Sequence, residues 1–163
     1  MKILGIDPGY GIVGYGIVDF NDGKYTAIDY GVISTPKDEG IAVRLKMLYD
    51  SMEQLIEKYS PDEIAIEELF FVKNVTTGMK VSQARGVILL AGIQFCGKLF
   101  EYTPLQVKQA LTGYGRAEKS QVQTMVQRFL SLERIPRPDD AADALAVAIT
   151  HALTCSVLQR ELL

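Results

Sequence analysis

The chain has 163 residues, 48% hydrophobic and 23% charged, with a net charge of −3. That length suits one domain over residues 1–163 with a core of its own and is cramped for two. No uncharged apolar run approaches the roughly 18 residues of a membrane helix, and one histidine with two distant cysteines argues against a zinc site.

The chain opens directly on the strand-like Lys2-Ile3-Leu4-Gly5-Ile6 without a secretory pattern, so a cytoplasmic protein is expected, with Cys96 and Cys155 as reduced core thiols. Lys2 to Asp7, Gly11 to Phe20 and Tyr25 to Thr35 read as an antiparallel meander, with Asn21-Asp22-Gly23 turning between the last two. Ala42, Leu45, Leu48, Tyr49, Met52, Leu55 and Ile56 recur at helical spacing, which predicts a helix ending near Ser60-Pro61. Glu63 to Glu67 is a fourth strand. A second helix runs from about Thr77 to Lys98, and between Val87 and Cys96 only Gly92 and Gln94 interrupt its apolar residues. Such a helix is either central to the core or meets a partner chain, and the small domain favours the partner. Phe100 to Thr103 gives a fifth strand, Thr103-Pro104 starts the first of three helices, and the last begins at Pro138-Asp139-Asp140. The order implies an α/β fold: a five-stranded mixed sheet, three strands antiparallel and then two parallel, with helices on both faces.

Charge is unevenly spread. Between Val72 and Gln123 lie Lys73, Lys80, Arg85, Lys98, Lys108, Arg116 and Lys119 against only Glu101 and Glu118, a segment of +5 in a chain whose remainder is −8. A basic segment is a footprint of phosphate contacts. The loop from Phe70 to Gly78 adds Phe70, Phe71, Lys73 and Asn74, aromatic, basic and amide side chains exposed together.

The acidic residues carry the chemistry. Asp7 ends the first apolar strand and Glu67 ends the fourth, at the sheet edge where such folds keep their sites. Glu68 points to the opposite face by strand alternation, so only Glu67 joins Asp7. Helix capping explains one of Asp139 and Asp140, but not Asp143, which shares a helix face with Asp140 and precedes an apolar run. His151 lies eight residues beyond Asp143, about 12 Å along the axis, and reads as structural. Gathered together, Asp7, Glu67, Asp140 and Asp143 need cations, and two Mg²⁺ ions, or Mn²⁺ in their place, suit an all-oxygen set. That arrangement predicts in-line attack on a phosphodiester. Lys119, a cation at a helix start where the dipole disfavours it, would serve the phosphate or the water.

These residues resemble those of the RuvC family of Holliday junction resolvases, within the ribonuclease H-like and retroviral integrase superfamily. The resemblance rests on Gly5-Ile6-Asp7-Pro8-Gly9 with Gly14-Tyr15-Gly16, on Ala65-Ile66-Glu67 and Gln83-Ala84-Arg85-Gly86, on Val107-Lys108-Gln109 and Ala117-Glu118-Lys119-Ser120-Gln121, and on Asp140-Ala141-Ala142-Asp143-Ala144-Leu145-Ala146. It implies a ribonuclease H-like fold and a homodimer that cuts four-way DNA junctions by paired symmetric nicks, leaving 5′-phosphate and 3′-hydroxyl ends. It further implies that Asp7, Glu67, Asp140 and Asp143 form the catalytic tetrad, that Phe70 or its neighbour Phe71 works at the junction centre, and that Lys108 and Lys119 lie near the scissile phosphate. The second helix would form the dimer interface, and the RuvA and RuvB branch-migration complex would be the partner. Tyr10-Gly11 departs from the small-polar and basic pair often found after the first motif.

Asp7-Pro8-Gly9-Tyr10-Gly11 also resembles the phosphate loop of sugar kinases and actin-like ATPases, but those enzymes need a second domain for which this length leaves no room. A junction binder that does not cut, and a nuclease for RNA–DNA hybrids, are the remaining alternatives.

Overall fold

The computed structural model describes residues 1–68 and 74–161, with side chains to residue 156. Five strands, β1 (Lys2–Asp7), β2 (Ile12–Asn21), β3 (Lys24–Ser34), β4 (Glu63–Glu67) and β5 (Leu99–Tyr102), form one sheet in the order β3-β2-β1-β4-β5. β1, β2 and β3 pair antiparallel, while β4 pairs parallel with both β1 and β5. The expected mixed sheet is therefore present, with strand ends shifted by one residue.

The β2–β3 turn needs only Asp22 and Gly23, at φ 50° and 77°, the doubly left-handed geometry that matches the twist of a two-residue hairpin. Helix α1 (Ile41–Tyr59) buries Arg44, Leu48, Met52 and Ile56 in a stripe four residues apart and stops where Ser60 turns left-handed before Pro61. Helix α2 (Val75–Phe95) packs on α1, and together they cover one face of the sheet. It starts and ends earlier than periodicity predicts. Asn74 caps it by accepting from the Thr76 and Thr77 amides, and Gly97, at φ 84°, turns the chain away.

Helices α3 (Pro104–Thr112), α4 (Lys119–Phe129) and α5 (Asp139–Glu161) cover the other face. α5 crosses β1 and β2 so closely that its backbone rests on theirs. A Cβ on Gly5 would lie 2.1 Å from the Ala144 carbonyl oxygen, and one on Gly14 would lie 1.9 Å from that of Asp140. Both glycines face α5, because Gly5, Asp7 and Gly14 share one side of the paired strands. Alanines 141, 144, 146 and 148 complete the contact from the helix side, all essentially inaccessible.

Only Ala84, Ile88, Ala91 and Gly92 of α2 are buried, while Val75, Met79, Leu90 and Ile93 stand more than half exposed. The helix is not central to the core. Cys96 and Cys155 are free but half-buried, not core residues as expected, because each sits at the margin where its helix leaves the packed interior. His151 is structural. It is fully buried, with Nδ1 2.7 Å from the Tyr102 hydroxyl and Nε2 2.6 Å from Glu63. Among the described residues no helix is long and apolar enough to cross a membrane.

Candidate active site

Strand alternation builds the site. Ile64 and Ile66 of β4 pack into the core beneath α1 and α2, so Glu67 projects from the opposite face, and Asp7 does the same beside Ile6 in β1. Gly14 pairs with Asp7 across β1 and β2. Because the Asp140 backbone lies directly on Gly14, the first turn of α5 is set above the Asp7 strand end. Asp143, one turn along, faces the same cleft, whose walls include Glu67, Lys108, Lys119, Val107 and Val122.

The four carboxylates act on one another's charge. Burial, followed by the charges of Glu67, Asp143 and Asp140, pushes Asp7 up to about 8. Burial and Asp143 push Glu67 up to about 7, and burial also raises Asp143. Without a cation, Asp7 and Glu67 hold protons near neutral pH that ordinary carboxyls would have lost. The donors are all oxygens, a set that fits hard divalent cations.

Among the described residues Lys119 is the cation paired directly with the cluster. Its Nζ lies 2.9 Å from Asp143 Oδ2 and 3.7 Å from Asp139 Oδ2. Burial works to lower its pKa, but the bond to and charge of Asp143 outweigh that and raise it. Its awkward place at the start of α4 is thereby explained: the backbone there is capped by a Glu118–Gln121 box, and the side chain reaches across to α5. Asp139 is tied to Arg137 and Gln123 at the helix edge.

Of the other candidates, Lys108 lies in the cleft wall, while Lys80 and Arg116 are exposed. Asn74 is exposed, with its side chain engaged as the α2 cap. Arg85 lies on the far side of the sheet from the carboxylates, paired with Glu101, because α2 covers that face and Glu101 points to it from β5. Glu68 lines the same recess as Arg85, Ser82 and Glu101, away from Glu67 as alternation predicts. Phe70, Phe71 and Lys73 lie outside the described residues.

The sequence reading did not single out Arg44, and it held Gly14 only as part of a motif, without the contact to Asp140. Arg44 had a visible signal, since it is a charged residue at a position on the buried stripe of α1.

The family model described as crossover junction endodeoxyribonuclease RuvC matches residues 3–151. Among curated relatives, the protein of that name from Halothermothrix orenii is 58% identical over 151 residues, 93% of this chain and 92% of its own length. The one from Fusobacterium nucleatum is 56% identical over 151 residues, 93% of this chain and 80% of its own. Among solved structures, Thermus thermophilus RuvC in complex with Holliday junction substrate superposes with a TM-score of 0.91 at 35% identity, covering 96% of each chain.

Proposed function

The chain belongs to the crossover junction endodeoxyribonuclease RuvC family, and on that premise we propose that it is a structure-selective DNA endonuclease that resolves Holliday junctions by paired, symmetric, metal-dependent nicks in recombination and repair. The observation that carries this reading is the convergence of Asp7 and Glu67, at two strand ends, with Asp140 and Asp143 of α5, which with burial pushes Asp7 up to about 8 and Glu67 up to about 7.

Those four side chains would hold two Mg²⁺ ions, with Mn²⁺ able to substitute. Bound there, the ions supply an activated water and stabilise charge on the leaving oxygen. Lys119 orients Asp143 and brings positive charge to the phosphate, and Lys108 does the same from the facing wall. Phe70, with Phe71 beside it, stacks on or wedges bases at the junction centre, supported by family resemblance. Lys73, Asn74, Lys80, Arg85 and Arg116 belong to the basic, DNA-facing part of the chain; of these, Arg85 acts through its pairing with Glu101. The exposed apolar face of α2 would pair two copies, so that two sites cut two strands. The single domain works in the cytoplasm, with the RuvA and RuvB complex as partner.

The test is incubation of the purified protein with a labelled four-way junction, a matched duplex and an RNA–DNA hybrid, with Mg²⁺, Mn²⁺ or chelator. Paired nicks confined to the junction and lost in chelator are expected. Binding without nicks in either metal, or cutting of the hybrid instead, would overturn the reading.

A further inference from the structure

Arg44 is 6% exposed and occupies a stripe of α1 whose other members, Leu48, Met52 and Ile56, are apolar. A guanidinium so buried ordinarily pairs with a carboxylate. Among the described residues it has none. Its Nε donates to Thr35 Oγ1 at 2.9 Å, and its Nη2 donates at 3.4 Å to the carbonyl of Tyr10. The guanidinium lies over the Tyr10 ring, with Cζ 3.8 Å from the centroid. Nη1 meets no acceptor among the described residues, and it is not among the atoms sealed from solvent without a partner.

A second cation converges on the same ring. Lys80 Nζ, from the exposed start of α2, lies 5.3 Å from the Tyr10 centroid and forms no ion pair among the described residues. Loop stapling accounts for the bonds from Arg44 to Thr35 and Tyr10. It does not account for two positive charges about one ring with no anion among the described residues, one of them taken out of water. Tyr10 stands three residues past Asp7, in a loop closed by the Thr35 amide donating to the Gly11 carbonyl at 3.1 Å. An anion held there would meet the loop that follows Asp7 from the α1–α2 side of the sheet.

We infer that Arg44, Tyr10 and Lys80 form a phosphate seat that takes a backbone phosphodiester of the DNA substrate, with Arg44 and Lys80 supplying the charge and Tyr10 propping the guanidinium. This rests on the nuclease reading above. The guanidinium fork suits a tetrahedral anion, and the aromatic ring beneath it holds the side chain in place. Tyr10, a departure from the family's usual residue at this point, is then a positioning residue.

The test measures junction binding by the full-length protein at several salt concentrations, with Ca²⁺ in place of Mg²⁺ to hold the substrate uncut. Arg44→Gln and Lys80→Ala are each expected to weaken binding about three- to tenfold at low salt and to flatten the log–log salt dependence by roughly one. The double variant loses less than the product of the two, because both cations serve one phosphate. Tyr10→Ala weakens binding with the salt slope reduced, and Tyr10→Phe retains both. Lys80 is exposed, so its variant cannot fail through folding. If wild type binds and cuts junctions while Lys80→Ala and Arg44→Gln keep wild-type affinity and slope, the seat is overturned and the nuclease reading stands. If wild type binds no junction, both fall.

Discussion

Lys119 Nζ lies 2.9 Å from Asp143 Oδ2, joining the first residue of α4 to the inner face of α5. Both side chains remain partly exposed, at 54% and 27%, so the pair is a cleft feature open to substrate and not a buried strut. Lys119→Ala should lower the rate of junction cleavage about a hundredfold, with junction affinity changing little, because the charge acts where the phosphate reacts. Single-turnover cleavage with a parallel binding titration checks this. Activity within about twofold of wild type would leave the contact a surface ion pair.

Stability should depend on pH in a direction fixed by the raised carboxyls. Asp7 at about 8 and Glu67 at about 7 bind protons in the folded chain that the unfolded chain, with carboxyls near pH 4, releases earlier. The folded state therefore holds the excess of protons between about pH 4 and 8, and metal-free stability falls as pH rises through that window. Melting curves in chelator should show a lower Tm at pH 8 than at pH 5, and Mg²⁺ should raise Tm more at pH 8. Asp7→Asn should flatten the pH dependence and stabilise the metal-free protein at pH 8 by on the order of 2 kcal/mol. A Tm that rises from pH 5 to pH 8 in chelator would contradict the cluster as described.

Gly14→Ala tests the seat of α5. The added Cβ would lie 1.9 Å from the Asp140 carbonyl oxygen, a backbone atom that can yield only if the helix start moves. Cleavage should fall at least tenfold with a stability loss of about 1–3 kcal/mol, since misplacement near 1 Å at a reacting centre is costly. Gly40→Ala, at the N-cap of α1 with open space around it, is the control that should leave cleavage unchanged. Normal activity in Gly14→Ala would show that Asp140 and Asp143 are not placed by this contact.

Ile93→Glu tests the exposed face of α2. Ile93 and Leu90 are 57% and 56% exposed, and a charge there should leave the fold intact while separating a dimer into monomers. Sedimentation of wild type and variant, with melting curves, gives the answer. The variant should also nick junctions singly, without the paired symmetry. A wild type that is monomeric at micromolar concentration, or a variant still dimeric, would remove α2 from that role.

Much of this was legible in the sequence. Strand alternation alone separated Glu67 from Glu68 and put Glu67 with Asp7, because the period of two leaves no freedom once Ile64 and Ile66 are buried. Helical spacing put Asp143 with Asp140 for the same kind of reason. What periodicity could not show was contact between distant segments. Nothing local in Gly14 says that Asp140 will rest on it, and nothing in Lys119 names Asp143 as its partner. Arg85 shows what a count of basic residues leaves out: the pairing of β4 with β5 aims Glu101 at it on the sheet's other face, a partner that charge alone could not name. Helix ends were missed where a cap decided them, at Asn74 and Gly97, since capping competes with the apolar pattern.

The central claim is that Asp7, Glu67, Asp140 and Asp143 act as one metal-requiring centre. Its most direct test is the cleavage rate of a four-way junction by Asp7→Asn, Glu67→Gln, Asp140→Asn and Asp143→Asn, singly and in pairs, with junction binding measured alongside. Each single variant should lose at least about a thousandfold in rate while still binding junctions, and the pairs should be little worse than the singles, as expected of residues that work as a unit. A single variant that cuts at near the wild-type rate, or losses that multiply from single to double, would contradict it.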